Sequence, residues 1–218
     1  MPEQRLLSVT KGGVFHDDLG ELKAAREKFA YYPHDVWLYL LASQWAKISQ
    51  EEAFVGRAGD VGDELGSQLI AARLVREMIK LCFLLERQYA PYIKWLGTAF
   101  SQLACSAKLK PIFQKILHAP LWKEREKCLS EAYEVLATMH NDLGITKPKP
   151  TKVSSYFDRP YLVIHGDAFA AEIMKGIEDA TIQSLPKFGS VDQIVDCTEI
   201  LNDPRLSRRV QRMYENGQ

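Results

Sequence analysis

The chain has 218 residues, 28 of them basic and 28 acidic, so its formal charge is zero. That length can bury a core without covalent staples, and the neutral balance leaves no broad electrostatic footprint for nucleic acid. No apolar run reaches the roughly 18 to 20 residues that cross a bilayer. Cys82, Cys105, Cys128 and Cys197 form neither a CxxC nor a Cys/His ligand pair, which predicts reduced thiols in a cytoplasmic protein.

Along the chain, residues 1–33 hold a turn at Gly12-Gly13, a cap at Asp17-Asp18 and a short helix ending before Pro33. From Asp35, the residues Leu38, Leu41, Trp45 and Ile48 recur at helical spacing, and the stripe points on to Val55. A second run starts near Asp60 and passes Leu65, Leu69, Ala72, Ile79 and Phe83. One unbroken helix from Asp35 to Tyr89 would be roughly 80 Å long at 1.5 Å per residue, too long for a compact domain of this size. The break is therefore expected within "GRAGD", residues 56–60. There Gly56 or Gly59 closes one helix, Asp60 caps the next, and the two pack as an antiparallel hairpin.

Pro91 then opens "PYIKWLGTAFSQLA", Pro111 marks another short helix, and a long amphipathic helix runs between Pro120 and Gly144. "ITKPKPTKVSS" reads as an exposed connection, and "RPYLVIHGD" is the only strong β-like run. Short helices are expected at 168–178, 190–201 and 203–215. The fold class is mostly α: a helical bundle built on a long hairpin, with a small β element in the C-terminal third. Its parts are an N-terminal segment 1–33, a bundle core 34–144, a connection 145–157 and a C-terminal α/β cap 158–218.

Glu52 continues the stripe of Leu41, Trp45 and Ile48, whereas Glu51 follows the polar positions Gln44 and Lys47. Glu51 should be solvated and Glu52 should point inward, where a carboxylate is costly unless it is paired or used. Arg76 poses the same puzzle, flanked at turn spacing by Leu69, Ala72, Ile79 and Phe83. Two readings follow. Either Glu52 and Arg76 satisfy each other across the hairpin, or both line a cleft in which Glu52 accepts a proton or holds a cation.

Asp60, Asp63 and Glu64 suit the positive end of a helix dipole and argue against a phosphate cradle in this glycine-rich stretch. A cationic group fits better there, and Arg57 is the one residue able to reach an anion. Lys94 beside Tyr92 and Trp95 is either an ordinary helix face or a phosphate contact next to a stacking surface. His140 reads as a helix-end cap and His165 as a core or turn histidine. Arg159 and His165 match the loose Rx4-6H spacing of helical ribonucleases, but Pro160 and a β-branched run intervene. No spacing favours a metal.

The stretch from "DVWLYLLASQWAKISQEEAFVGRAGD" through "LLERQYAPYIKWLGTAF" resembles a bacterial family, domain of unknown function 4037. "MHNDLGIT", "RPYLVIHGD" and "GSVDQIVD" resemble its C-terminal signature. The resemblance implies a two-domain nucleotidyltransferase-like protein, in which an N-terminal α/β domain carries Gly-Ser and an acidic pair for Mg²⁺ while the helical half binds the acceptor. In this chain Gly189-Ser190 is followed by "EILNDPRL", without the Asp-x-Asp, and "PEQRLLSVTKGGVFHD" stands where the middle of a full-length member is expected.

The leading expectation is therefore a non-catalytic, substrate-side helical domain with no cofactor of its own. Mg²⁺ and a nucleoside triphosphate would come only with a nucleotidyltransferase-like domain, in cis or in trans. Glu52 is the candidate catalytic acid, and Arg57, Glu64, Arg73, Arg76, Lys94 and Trp95 are the candidate substrate-binding residues. A small-molecule acceptor and a homodimer are the partners considered, with no membrane and no strong nucleic-acid signal. The alternatives are a complete helical enzyme of ribonuclease type and a structural or dimerisation module whose glycines serve close helix packing.

Overall fold

A computed structural model describes residues 1–214. Residue 215 of the last expected helix, and the final four residues of the C-terminal cap, lie outside the described residues. The central element is α3 (His34–Glu51), buried on nearly all sides from Trp37 to Trp45. A helix apolar all round needs neighbours all round, and α5 (Glu64–Leu85) and α9 (Gly166–Lys175) supply most of them. The Trp37 indole N–H donates to the Leu84 carbonyl at 2.8 Å, and Gln44 donates to the Glu77 carbonyl at 3.0 Å. Earlier residues of α3 thus meet later residues of α5, which is the expected antiparallel hairpin.

The hairpin does not break where the glycines suggested. Residues 56–60 are helical within α4 (Phe54–Asp60), and the chain bends instead at Glu52-Ala53 and at Val61–Asp63. Gly62 takes the left-handed conformation, with φ of 85°, and Asp63 rather than Asp60 caps α5, accepting the Gly66 N–H at 2.7 Å. Gly56 and Gly59 serve close packing. A Cβ on Gly59 would meet the Trp122 side chain at 2.1 Å, and one on Gly56 would meet the Tyr161 ring at 2.6 Å. These two glycines let α4 press against α8 (Trp122–Asp142) and against β2 (Arg159–Val163).

The buried face of α5 is also displaced from the expected stripe. Ala71, Leu74, Val75, Met78, Leu81 and Cys82 are buried, whereas Leu65 and Leu69 are 67% and 65% exposed and Ala72 faces out. Ile79 and Phe83 do pack on the core. The helix offers two overlapping apolar faces, and docking on α3 selects the one through Ala71 and Met78.

The remaining elements close the bundle. They begin with α1 (Glu3–Thr10) and α2 (Glu21–Lys28), and α6 (Ile93–Phe100) and α7 (Ser106–His118) follow α5. Pro111 lies inside α7 rather than marking its start. The long α8 ends just before Gly144, as its flanking residues predict. Part of the stretch read as a connection pairs as a strand: β1 (Ser154–Tyr156) runs antiparallel to β2. Short helices α10 (Ala180–Gln183), α11 (Val191–Ile194), α12 (Thr198–Asn202) and α13 (Pro204–Arg209) wrap the end of the chain, followed by a 3-10 turn at Val210–Tyr214. No helix of the described residues is long and apolar enough to cross a membrane.

Candidate functional site

Glu52 follows directly on α3 and is only 5% exposed, so its stripe carries it inward as expected. Its partner is not Arg76. Its carboxylate accepts the backbone N–H of Ile164 at 2.8 Å and of Gly166 at 3.3 Å. Between them His165 has φ of 58°, and this left-handed residue turns β2 into α9. Gly166 has no space for a side chain, since a Cβ would lie 2.8 Å from the Trp45 carbonyl oxygen. Glu52 therefore holds the β2–α9 junction against the end of α3. Burial pushes its carboxyl up to about 7, outweighing the two N–H donors, and Asp167 adds to the rise.

Arg76 reaches across to Asp196 instead. Its Nη1 donates to Asp196 Oδ2 at 3.1 Å while Nη2 binds Oδ1. This bidentate pairing holds the Asp196 carboxyl below its usual range. The register of α5 explains the choice: the face that carries Arg76 looks towards the 192–196 segment, not towards the end of α3.

A second inward carboxylate, Glu77, escaped the sequence reading. It is 2% exposed, and Gln44 Nε2 donates to it at 2.9 Å. Lys47, Arg76 and Lys80 stand around it at 3.4, 3.8 and 4.0 Å. Gln44 is itself fully buried, not the polar surface position expected. Its Oε1 accepts from Gln193 Nε2 at 2.8 Å, Lys47 donates to the Gln193 carbonyl at 2.6 Å, and Lys80 donates to the Asp192 carbonyl at 2.9 Å. The cluster pins α11 to the α3–α5 pair. A signal was present in the sequence, because Glu77 lies at turn spacing from Leu74 and Leu81, and Gln44 from Leu41 and Ile48.

Beside this cluster, α1, the second half of α5, the 90–96 stretch and α11–α12 enclose a cleft of about 120 Å³. Arg76, Lys80, Glu3 and Asp192 supply its polar wall, and Leu84, Ile93 and Leu96 its apolar one. The Glu3 carboxylate accepts the Ala90 N–H at 2.6 Å, while its own N–H donates to Asp192 at 3.0 Å. Burial, then the nearby Asp192 charge, pushes the Glu3 carboxyl up to about 8. Burial lowers the Lys80 ammonium from its usual value, opposed by Glu77. A molecule here would meet an ammonium and a carboxyl group on one side and aliphatic carbon on the other.

Of the expected substrate-binding residues, Arg76 alone lines this cleft. Arg57 is exposed on α4 over the Phe54 ring at 5.4 Å. Glu64 accepts the Trp122 N–H at 3.2 Å and pairs at 2.7 Å with Arg125, which is completely buried, so it caps α8 and neutralises a core charge. Arg73 pairs at 2.9 Å with Glu51, whose side chain is only 19% exposed and so is more enclosed than the solvated position expected. The Lys94 ammonium sits over the Trp95 ring at 5.3 Å, both exposed on α6. Asp60 accepts from the Tyr161 hydroxyl at 3.1 Å. His140 is buried, bonds Thr146 at 3.0 Å and is lowered by burial to about 4. His165 bonds Ser154 at 2.8 Å. Neither histidine lines the cleft. The described residues contain no group of three or more His, Cys, Asp and Glu suited to a metal.

The family model described as Domain of unknown function (DUF4037) matches residues 1–96. Over that stretch, the first 96 of 218 residues, the chain is similar to this family. The DUF4037 match spans α1 to α5 and the start of α6, and so includes Glu52, Glu77 and the α1, α5 and 90–96 walls of the cleft. The stretches resembling a C-terminal signature, from Met139 onward, lie beyond it. No curated protein and no solved structure matches the chain.

Proposed function

We propose that this chain is a non-catalytic, substrate-side helical domain of a bacterial, cytoplasmic nucleotidyltransferase-like protein, and that its ligand enters the cleft beside Glu77. The observation that carries the reading is the composition of that cleft. A Lys80 ammonium with donors left over after its bond to the Asp192 carbonyl faces aliphatic walls above a buried polar cluster. Convergent polar groups in an apolar hollow are the usual makings of a small-molecule site. The nucleotidyltransferase assignment rests on the sequence resemblance. In this reading Mg²⁺ and the nucleoside triphosphate belong to a partner domain, in cis or in trans, and this chain presents a small-molecule acceptor to it.

Glu52 is given a structural role here, since both of its oxygens are engaged by backbone N–H groups. The test is a thermal-shift screen of the full chain against small amino- and hydroxyl-bearing acceptors, followed by titration of each hit. Ile93→Trp, at a half-exposed position on the cleft wall, should leave the melting temperature unchanged and weaken binding at least tenfold. Lys80→Met should weaken it further. A hit that is indifferent to both substitutions overturns the assignment.

A further inference from the structure

We propose that Cys82 and Cys105 form an oxidation site, at which a low-molecular-weight disulfide such as oxidised glutathione converts the two thiols into a covalent bond between α5 and α7. The geometry starts from Glu86. Its carboxylate accepts the backbone N–H groups of Ala104 at 2.9 Å and Cys105 at 2.8 Å, so one face of α5 is clamped to the residues that open α7. Cys82 lies four residues before Glu86, one turn back on that same face. Cys82 therefore lies on the face of α5 that packs against α7, and Cys105 packs against the same core cluster that holds Cys82.

The two thiols differ in a way that orders the steps. Cys82 is completely buried, and burial raises its thiol well above the ordinary value. Cys105 is partly exposed and opens, with Glu86 and Lys108, onto a surface hollow of about 570 Å³. A reagent can reach only Cys105 directly. The Cys105 thiolate attacks one sulfur of the small disulfide, forming a mixed disulfide and releasing one small thiol. The Cys82 thiol then attacks Cys105 Sγ, its proton passing to the departing sulfur, and the second small thiol is released. Two electrons pass from the protein to the reagent, and the two protein protons leave on the two thiols.

The bond would close the segment 83–104, which carries Ile93 and Leu96 of the cleft wall. Oxidation would then also stiffen that wall, a consequence that rests on the proposed function, whereas the oxidation site does not.

The full chain is incubated with oxidised glutathione, unreacted thiols are alkylated after denaturation, and peptides are mapped by mass spectrometry without reduction. The expected product is an intramolecular link between the Cys82 and Cys105 peptides, absent in Cys105→Ser. The oxidised protein should melt about 5 °C or more above the reduced one, since the link restrains the unfolded chain, and Cys105→Ser under the same treatment should not shift. Glutathione retained on Cys105 with Cys82 alkylated overturns the proposal. So does a link that joins Cys128 or Cys197 instead. The substitution is placed at the partly exposed cysteine so that the variant keeps its fold.

Discussion

Glu52 and Glu77 are both carboxylates carried inward on one helical hairpin, and they are accommodated by opposite means. Glu52 meets no cation; two backbone N–H groups at the β2–α9 junction hold it, and burial leaves its carboxyl near 7. Glu77 stands among Lys47, Arg76 and Lys80, with Gln44 bonded to it. The first arrangement uses a carboxyl group to fix a turn of the main chain. The second uses its charge to balance cations that would otherwise face one another across α3 and α5. An inward acid on an apolar stripe is thus no pointer to catalysis by itself, because either solution satisfies it.

The largest expected effect breaks the second arrangement. Glu77→Ala leaves three cations facing one another and the Gln44 amide without its carboxylate, and should cost about 3 to 5 kcal/mol in urea unfolding. A loss below about 1 kcal/mol would mean that solvent, not Glu77, balances those cations. Lys47→Met in the Glu77→Ala background should recover part of the loss, since it removes one of the uncompensated charges.

A smaller effect sharpens the Glu52 side. Its folded carboxyl is raised from 4.5 to about 7, so the native state binds the proton more tightly than the unfolded chain. The resulting stabilisation is complete below about pH 4.5 and is lost as pH rises towards 7, by about 3 kcal/mol at most. Glu52→Gln cannot titrate. The wild type should therefore lose more stability than Glu52→Gln between pH 5 and pH 8, measured by urea unfolding at each pH. Equal losses would show that Glu52 is already ionised at pH 5.

The smallest effect is the more exposed counterpart, open on its arginine side. Glu51, next to Glu52, pairs with Arg73, whose side chain is 55% exposed. Arg73→Ala should cost only about 0.2 to 1 kcal/mol and the cost should shrink in 1 M salt. A loss as large as that of Glu77→Ala would remove burial as the reason for the contrast.

Much of this was legible along the chain, and the limits have particular causes. The inward position of Glu52 followed from helical spacing with Leu41, Trp45 and Ile48, because periodicity projects along one helix without knowledge of its neighbours. The span of α8 followed from Pro120 and Gly144 for the same local reason. The partner of Glu52 did not, since Ile164 and Gly166 lie more than a hundred residues away and offer main-chain donors that no side-chain pattern reveals. Arg76 was placed on the wrong stripe because α5 carries two overlapping apolar faces. Gln44 and Glu77 were legible in principle, as polar residues at core spacing, but they became a cluster only when Gln193 and Asp192 arrived from the far end of the chain.

By itself the sequence determined a mostly α chain, the helical stripe of α3, the inward turn of Glu52 and the likeness of its first 96 residues to a family. These are consequences of local backbone preference and of spacing within single elements. Tertiary structure decided where the hairpin bends, because Gly56 and Gly59 were needed against Tyr161 and Trp122 rather than in the turn. It also decided which charges meet. The energy of a buried carboxylate depends on whatever donors and cations pack against it: for Glu52 these come from the β2–α9 junction, and for Glu77 from α3 and α5, with Asp192 and Gln193 of the far chain end holding Lys80, Lys47 and Gln44 in place.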